Sequence, residues 1–218
     1  MRDQAPLGIL GGSFDPIHNG HLQLATAAKQ QAGLAQVYFI PCKTVMYAPS
    51  INAKQHAASA EQRLAMLRLA LQDHVDFQAD DRELRRATPS YTVATLSSLR
   101  AEFPQQPLVL ILGSDSFATL PSWHQHEQLF ALAHLLIVPR PGVSRPETLP
   151  FSQWYQHRLV SDPSCFAQKP AGFLSFLPFE PINDASSSIR QSILQGSMPK
   201  DLLPAAVINY IEAHGLYA

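Results

Sequence analysis

Leu7-Gly8-Ile9-Leu10-Gly11-Gly12-Ser13-Phe14-Asp15-Pro16-Ile17-His18-Asn19-Gly20-His21-Leu22 is the stretch on which the reading of this chain turns. Leu7 to Leu10 is short, apolar and stopped by two glycines, which predicts a buried strand. From Gly20 to about Gln31, Ala and Gln predominate around Leu22, Leu24, Ala25 and Ala28, which predicts a helix. The glycines and the histidines therefore sit on a strand-to-helix turn. Paired glycines let the backbone approach a ligand closely. A helix N-terminus offers N–H groups and a partial positive charge, which suit phosphate. His18 in the turn and His21 in the first helical turn can face one anion, and imidazole can donate to phosphoryl oxygens as charge develops. The plainer alternative is a Gly-Gly turn with histidines that cap the helix or lie on the surface. The stretch matches neither a Walker loop nor Gly-x-Gly-x-x-Gly.

Working outward, short apolar runs alternate with amphipathic stretches of helical length. Val37 to Ile40, Val75 to Gln78, Leu108 to Leu112, Leu135 to Val138 and Phe173 to Leu177 are expected as strands. Helices are expected over Ala60 to Gln72 (with Leu64, Leu67 and Leu71), Tyr91 to Phe103, Leu129 to Leu132, Ser188 to Gln195 and Ala205 to His214, the last preceded by Pro204. Cys42 to Ser59 reads as a loop and Pro141 to Gly172 as irregular. This order predicts an α/β fold, a Rossmann-like, doubly wound, mainly parallel sheet. Ligands in such sheets bind at the carboxyl ends of the strands near the topological switch point. The loops after Leu10, Ile40, Leu112 and Val138 are thus the places for chemistry.

The composition agrees with a folded domain. Of 218 residues, 46% are apolar and 15% charged, enough for a sizeable core and unlike a disordered chain. Lys and Arg (16) nearly balance Asp and Glu (17), so bulk charge gives no sign of nucleic-acid binding. Two cysteines, Cys42 and Cys165, cannot make a disulfide scaffold. No apolar stretch nears the ~20 residues of a membrane span, and the first residues do not read as a signal peptide. The expectation is a soluble, cytoplasmic protein without a nucleic-acid or membrane partner, folded as one domain over 1–218 with a helical part from about 182.

Four further constellations follow. Asp184-Ala185-Ser186-Ser187-Ser188-Ile189-Arg190 opens a late helix, with Ser188 and Gln191 spaced as a capping box. A capped helix with a surface arginine is the alternative. Leu112-Gly113-Ser114-Asp115 follows the clearest strand, and Leu120-Pro121-Ser122-Trp123 comes after it; a helix-capping Asp and a core Trp are the alternatives. Pro89-Ser90-Tyr91-Thr92 precedes a helix that Ser90 could cap, and Pro139-Arg140-Pro141-Gly142 follows a strand. The mixed-charge run Asp81 to Arg86 reads as solvated surface.

Gly-Gly-Ser-Phe-Asp-Pro-Ile-His-x-Gly-His-Leu resembles the signature of the nucleotidylyltransferase superfamily. Together with Pro-Ser-Tyr-Thr, Pro-Ser-Trp and Ser-Ile-Arg it is most similar to bacterial nicotinate mononucleotide adenylyltransferases, and the likeness spans most of the chain from Leu7. The resemblance implies a nucleotidylyltransferase-type fold and transfer of AMP from ATP to nicotinate mononucleotide, with Mg²⁺ bound through the ATP phosphates. It implies that Gly11, Gly12, Ser13, Phe14, His18, His21, Gly113, Asp115, Ser187, Ile189 and Arg190 meet ATP, with His18, His21 and Arg190 carrying the catalysis. Trp123 would stack on the pyridine ring, with Tyr91, Thr92, Arg140 and Lys54 toward the acceptor. Two departures stand out. Ala185 replaces the first Ser of the family's Ser-x-Thr-x-Ile-Arg phrase, and the loop after the second strand lacks the family's Pro-Pro-His-Lys phrase, with Lys54 or Lys43 as substitutes. Self-association stays open. Another small adenylyltransferase, such as a pantetheine-phosphate adenylyltransferase, or a non-catalytic nucleotide-binding domain, is the alternative reading.

Overall fold

The structure is a computed structural model that describes residues 5–43, 56–139, 152–178 and 185–218. Six parallel strands form one sheet: β1 (Leu7–Gly12), β2 (Gln36–Pro41), β3 (Phe77–Ala79), β4 (Leu108–Gly113), β5 (His134–Val138) and β6 (Leu174–Phe176), in the order β3-β2-β1-β4-β5-β6. The chain runs outward from β1 to β3, then crosses back to β4 and runs outward the other way. The order reverses between β1 and β4, whose residues Leu10 and Ile111 are paired. The loops after these two strands therefore open on the switch point.

Alternation along each strand feeds two cores, one per face. On β4, Val109 and Ile111 join one, while Leu108, Leu110 and Leu112 join the other. The first core is closed by α1 (Asn19–Ala32), α2 (Ala60–Leu71), α8 (Ser186–Leu194) and α9 (Ala205–His214). The second is closed by α4 (Thr92–Glu102), α5 (Ser114–Ala118) and α6 (Leu129–Leu132). Short helices α3 (Arg82–Arg85) and α7 (Ser152–Tyr155) complete the set. The first core runs from Leu10 to Ile211, so both ends of the sequence pack against the same face.

Several expectations need correction. The strand placed at Val75 to Gln78 begins at Phe77, because Val75 is 89% exposed and has no core to enter. Helix α2 buries Leu67 and Leu71 as expected, together with Arg63, Met66 and Ala70, while Leu64 is only half-buried at the edge of the stripe. Helix α8 starts at Ser186, which puts Ser188 at its third position, so the Ser188–Gln191 capping box does not form; Ala185, with extended backbone, occupies the cap. The run Asp81 to Arg86 is not simply solvated. It contains α3, and Glu83 is buried, accepting a 2.6 Å bond from Thr95 Oγ1, which in turn accepts from Arg86 Nη1 at 3.1 Å. The segment Pro141 to Gly172, read as irregular, holds α7 and 3-10 turns at Gln156–Arg158 and Pro163–Gln168.

Candidate active site

The loop after β1 and the start of α1 carry the two histidines. His18 has extended backbone and caps α1; His21 is the third residue of the helix. Their ring centroids lie 3.8 Å apart. The His18 backbone N–H donates to His21 Nδ1 at 3.4 Å. A neutral His21 ring that accepts at Nδ1 carries its proton on Nε2 and is a donor there. His18 is buried and His21 half-buried, so the second ring is the more accessible one.

The loop is shaped by glycine and by Phe14. A Cβ on Gly11 would meet nothing within 4 Å among the described residues, so its exposed backbone leaves room for a ligand. A Cβ on Gly12 would sit 3.1 Å from the Phe14 ring. Phe14 adopts a positive φ of 47°, is fully buried, and presses edge-on against His21 with centroids 5.1 Å apart. Phe14 therefore sets the position of His21 from beneath; its ring is core and not available to ATP.

Three charged residues hold this loop, the half-buried Arg190 and the buried Asp15 and Arg63, and of these only Arg190 is a candidate from the sequence. Arg190 of α8 donates from Nη1 to the Asp15 carbonyl at 2.6 Å, and Ser186 Oγ donates to the Pro16 carbonyl at 3.1 Å. Residues 175 positions apart thus meet beside the histidines. The Asp15 carboxylate, 3% exposed, accepts from the backbone N–H of Ala57 (2.8 Å) and Ala58 (3.1 Å) and from the Tyr217 hydroxyl (2.8 Å). Arg190 Nη1 and His56 Nδ1 each lie 3.9 Å from its Oδ2. Arg63, 1% exposed, donates to the Ser13 carbonyl at 2.7 Å and the Cys42 carbonyl at 2.8 Å, bridging the loops after β1 and β2. Burial pulls the Arg63 guanidinium below its usual range, with the nearby Cys42 and Asp15 opposing the shift. A sequence signal existed for Asp15, as part of the first motif; none exists for Arg63, an arginine on an apolar helix stripe.

Cys42 donates its backbone N–H to the Gly12 carbonyl at 2.9 Å, and its Sγ lies 3.8 Å from His56 Nε2. Burial pushes its thiol up to about 11, so at neutral pH it is protonated and a poor nucleophile. Lys43 directs its ammonium to the Arg86 carbonyl at 2.9 Å, and its backbone N–H reaches Ser90 Oγ at 3.0 Å. The lysine thus joins the β2 loop to the Pro89–Thr92 segment, while Lys54 lies outside the described residues, as does Arg140.

Across the switch point, Gly113 caps α5 and Asp115 is exposed in its first turn. Tyr91 caps α4, Thr92 is its first residue, and the Tyr91 ring lies against His124, tilted by 30° with centroids 4.3 Å apart. Trp123 is half-buried against the second core, with its indole N–H 3.4 Å from Thr119 Oγ1. The Tyr91–His124 contact brings the segment ahead of α4 and the Trp123 segment together. Ser187 is exposed in the first turn of α8. The Ile189 side chain is core, and its N–H bonds the Ala185 carbonyl at 3.1 Å.

A parallel sheet with a glycine strand-to-helix turn at its switch point, joined there by an arginine from a late helix, defines an α/β protein whose candidate site opens at the switch point. The family model described as cytidylyltransferase-like matches residues 9–192. A probable nicotinate-nucleotide adenylyltransferase of Aeromonas salmonicida is 40% identical over 214 residues, covering 98% of each chain. One of Methylococcus capsulatus is 39% identical over 213 residues, covering 97% of this chain and 99% of the relative. The solved Plasmodium falciparum nicotinic acid mononucleotide adenylyltransferase complexed with NaAD shares the fold, with a TM-score of 0.74 at 18% identity over 98% of both chains. The chain belongs to the nicotinate-nucleotide adenylyltransferase family within the cytidylyltransferase-like class.

Proposed function

We propose that this protein transfers the adenylyl group of ATP to nicotinate mononucleotide, releasing pyrophosphate and forming nicotinate adenine dinucleotide. The observation that carries the reading is the meeting of His18, His21 and Arg190 around one glycine turn at the switch point. Family membership supports the choice of acceptor.

A phosphate oxygen of the acceptor attacks the α-phosphorus of ATP in line. The new bond joins that oxygen to the α-phosphorus, and the bond from the α-phosphorus to the bridging oxygen of pyrophosphate breaks. No protein nucleophile is needed, in keeping with a protonated Cys42. Positioning and charge stabilisation do the work. His21, with its proton on Nε2, donates to phosphate oxygens alongside His18. The exposed Gly11 backbone lets ATP approach without meeting a side chain, and Gly12 and Ser13 line the same turn. Arg190 neutralises the departing pyrophosphate. Gly113 and Asp115 contact the nucleotide, Asp115 accepting from a ribose hydroxyl, and Ser187 adds a hydroxyl at the start of α8. Trp123 stacks on the pyridine ring, with Tyr91 and Thr92 beside it. Mg²⁺ enters as part of the ATP substrate, on its phosphate oxygens. In this reading the chain works as one catalytic unit in the cytoplasm, with no nucleic-acid or membrane partner; no described helix is long and apolar enough to cross a membrane.

The test is His21→Ala. Loss of one such donor costs roughly two orders of magnitude or more in turnover. Adenylyl transfer followed by pyrophosphate release should fall by that much while the melting temperature stays close to that of the wild type. Near-normal turnover by the variant would overturn the assignment.

A further inference from the structure

Tyr217 lies 202 residues from Asp15 in sequence, yet its hydroxyl donates to Asp15 Oδ1 at 2.8 Å. The chain reaches that point by design of its last helix. Gly215 ends α9 in the left-handed conformation, φ 58°, and the Leu216 N–H returns to the Ile211 carbonyl at 3.0 Å. Tyr217 then takes a positive φ of 68° itself. A tyrosine has no intrinsic preference for that region, so the surrounding contacts must hold it there. Its ring packs on the first core, and its hydroxyl meets the carboxylate.

The same Asp15 residue is the seat of Arg190. The guanidinium donates to the Asp15 carbonyl at 2.6 Å and lies 3.9 Å from Oδ2. The carboxylate is shared among Tyr217 and the N–H groups of Ala57 and Ala58, with His56 Nδ1 also 3.9 Å from Oδ2. Oδ1 therefore has two donors, one of them the phenol. Burial and the neighbouring carboxylate both push the Tyr217 hydroxyl well above its ordinary range, so it remains a donor throughout the working pH range. A charge-assisted bond of this kind is among the stronger ones.

We propose that Tyr217 is a positioning residue for the phosphate-binding arginine: by fixing the Asp15 carboxylate it fixes the Asp15 backbone, and with it the direction of Arg190. The segment after α9 thus acts on nucleotide binding without touching nucleotide. The inference rests on the reading of Arg190 as an ATP-phosphate ligand.

A double-mutant cycle with Tyr217→Phe and Arg190→Ala tests it. The phenylalanine keeps the ring packing and deletes the donor. ATP affinity is measured by calorimetry and turnover by pyrophosphate release, each variant being checked by its melting curve. Tyr217→Phe is expected to weaken ATP affinity roughly tenfold, the scale of one hydrogen bond to a charged group, while the KM for the acceptor stays within about twofold. In the Arg190→Ala background the same substitution is expected to have no further effect on ATP affinity. Unchanged ATP affinity in Tyr217→Phe overturns the proposal. So does a tenfold loss that persists without Arg190, or a Tyr217→Phe protein that does not fold, since either makes the contact a general support of the fold. Wild-type ATP affinity in Arg190→Ala alone is a different failure, that of the underlying reading of the site.

Discussion

Arg63→Met is the substitution whose outcome follows most directly from the geometry. The guanidinium is 1% exposed and serves two carbonyls, Ser13 at 2.7 Å and Cys42 at 2.8 Å, from two different loops. Methionine fills similar space but donates to neither. A buried acceptor left without a partner costs about 1–3 kcal/mol, so two give roughly 2–6 kcal/mol. Part of this is offset, because the variant no longer buries a cation. Arg63 Nε has no hydrogen-bond partner among the described residues, so no third bond is lost. A net destabilisation of about 2–4 kcal/mol remains. At roughly 2–4 °C per kcal/mol for a domain of this size, the melting temperature should drop by about 5–15 °C. Calorimetry on wild type, Arg63→Met and Arg63→Lys measures it. Lysine can reach one carbonyl as a point charge and should fall between the other two. Turnover of Arg63→Met should drop as well, since the Ser13 loop that leads to His18 loses its bridge. A methionine variant that melts within about 1 °C of wild type would refute the reasoning: the two carbonyls would then not depend on Arg63.

Two further outcomes can be measured. Gly11→Ala should melt like wild type, because its Cβ meets nothing within 4 Å, yet raise the KM for ATP several-fold, whereas Gly12→Ala should lose about 1–3 kcal/mol by pressing on the Phe14 ring 3.1 Å away; equal melting temperatures would show that the ring yields freely. His134 is fully buried, donating from Nε2 to the Lys169 carbonyl and accepting from the Phe173 N–H, and burial lowers its pKa from 6.5 to about 4. The unfolded chain therefore binds the extra proton first as pH falls, so stability is full above about pH 6.5 and declines by roughly 3 kcal/mol toward pH 4. Denaturant unfolding across that range should show this slope in wild type and its absence in the less stable His134→Gln; parallel profiles would contradict the assignment.

Much of this architecture was legible in the sequence because its signals are local. A five-residue apolar strand such as Leu108 to Leu112 and a helix ended by Gly215 declare themselves through period and punctuation. The glycine turn with His18 and His21 was legible for the same reason. Helices α3 and α5, of four and five residues, are too short to show a period. Asp15 lies in the first motif, but its role as a hub is not legible, for a different reason. Its partners lie 42, 43 and 202 positions away, and nothing local marks a carboxylate that is satisfied from three directions. Arg63 carries no local signal either: nothing in its neighbours marks a buried arginine, and two loop carbonyls far away in sequence supply the partners that burial demands. The Ser188 capping box failed because Ser186 turned inward to the Pro16 carbonyl and the helix began with it.

The central claim is the reaction itself. Purified protein given ATP, Mg²⁺ and either nicotinate mononucleotide or its amide, with pyrophosphate and dinucleotide followed together, addresses it most directly. The account predicts equal amounts of pyrophosphate and nicotinate adenine dinucleotide from the acid acceptor, and much less product from the amide. Pyrophosphate release with neither acceptor, or a preference for the amide, would contradict it.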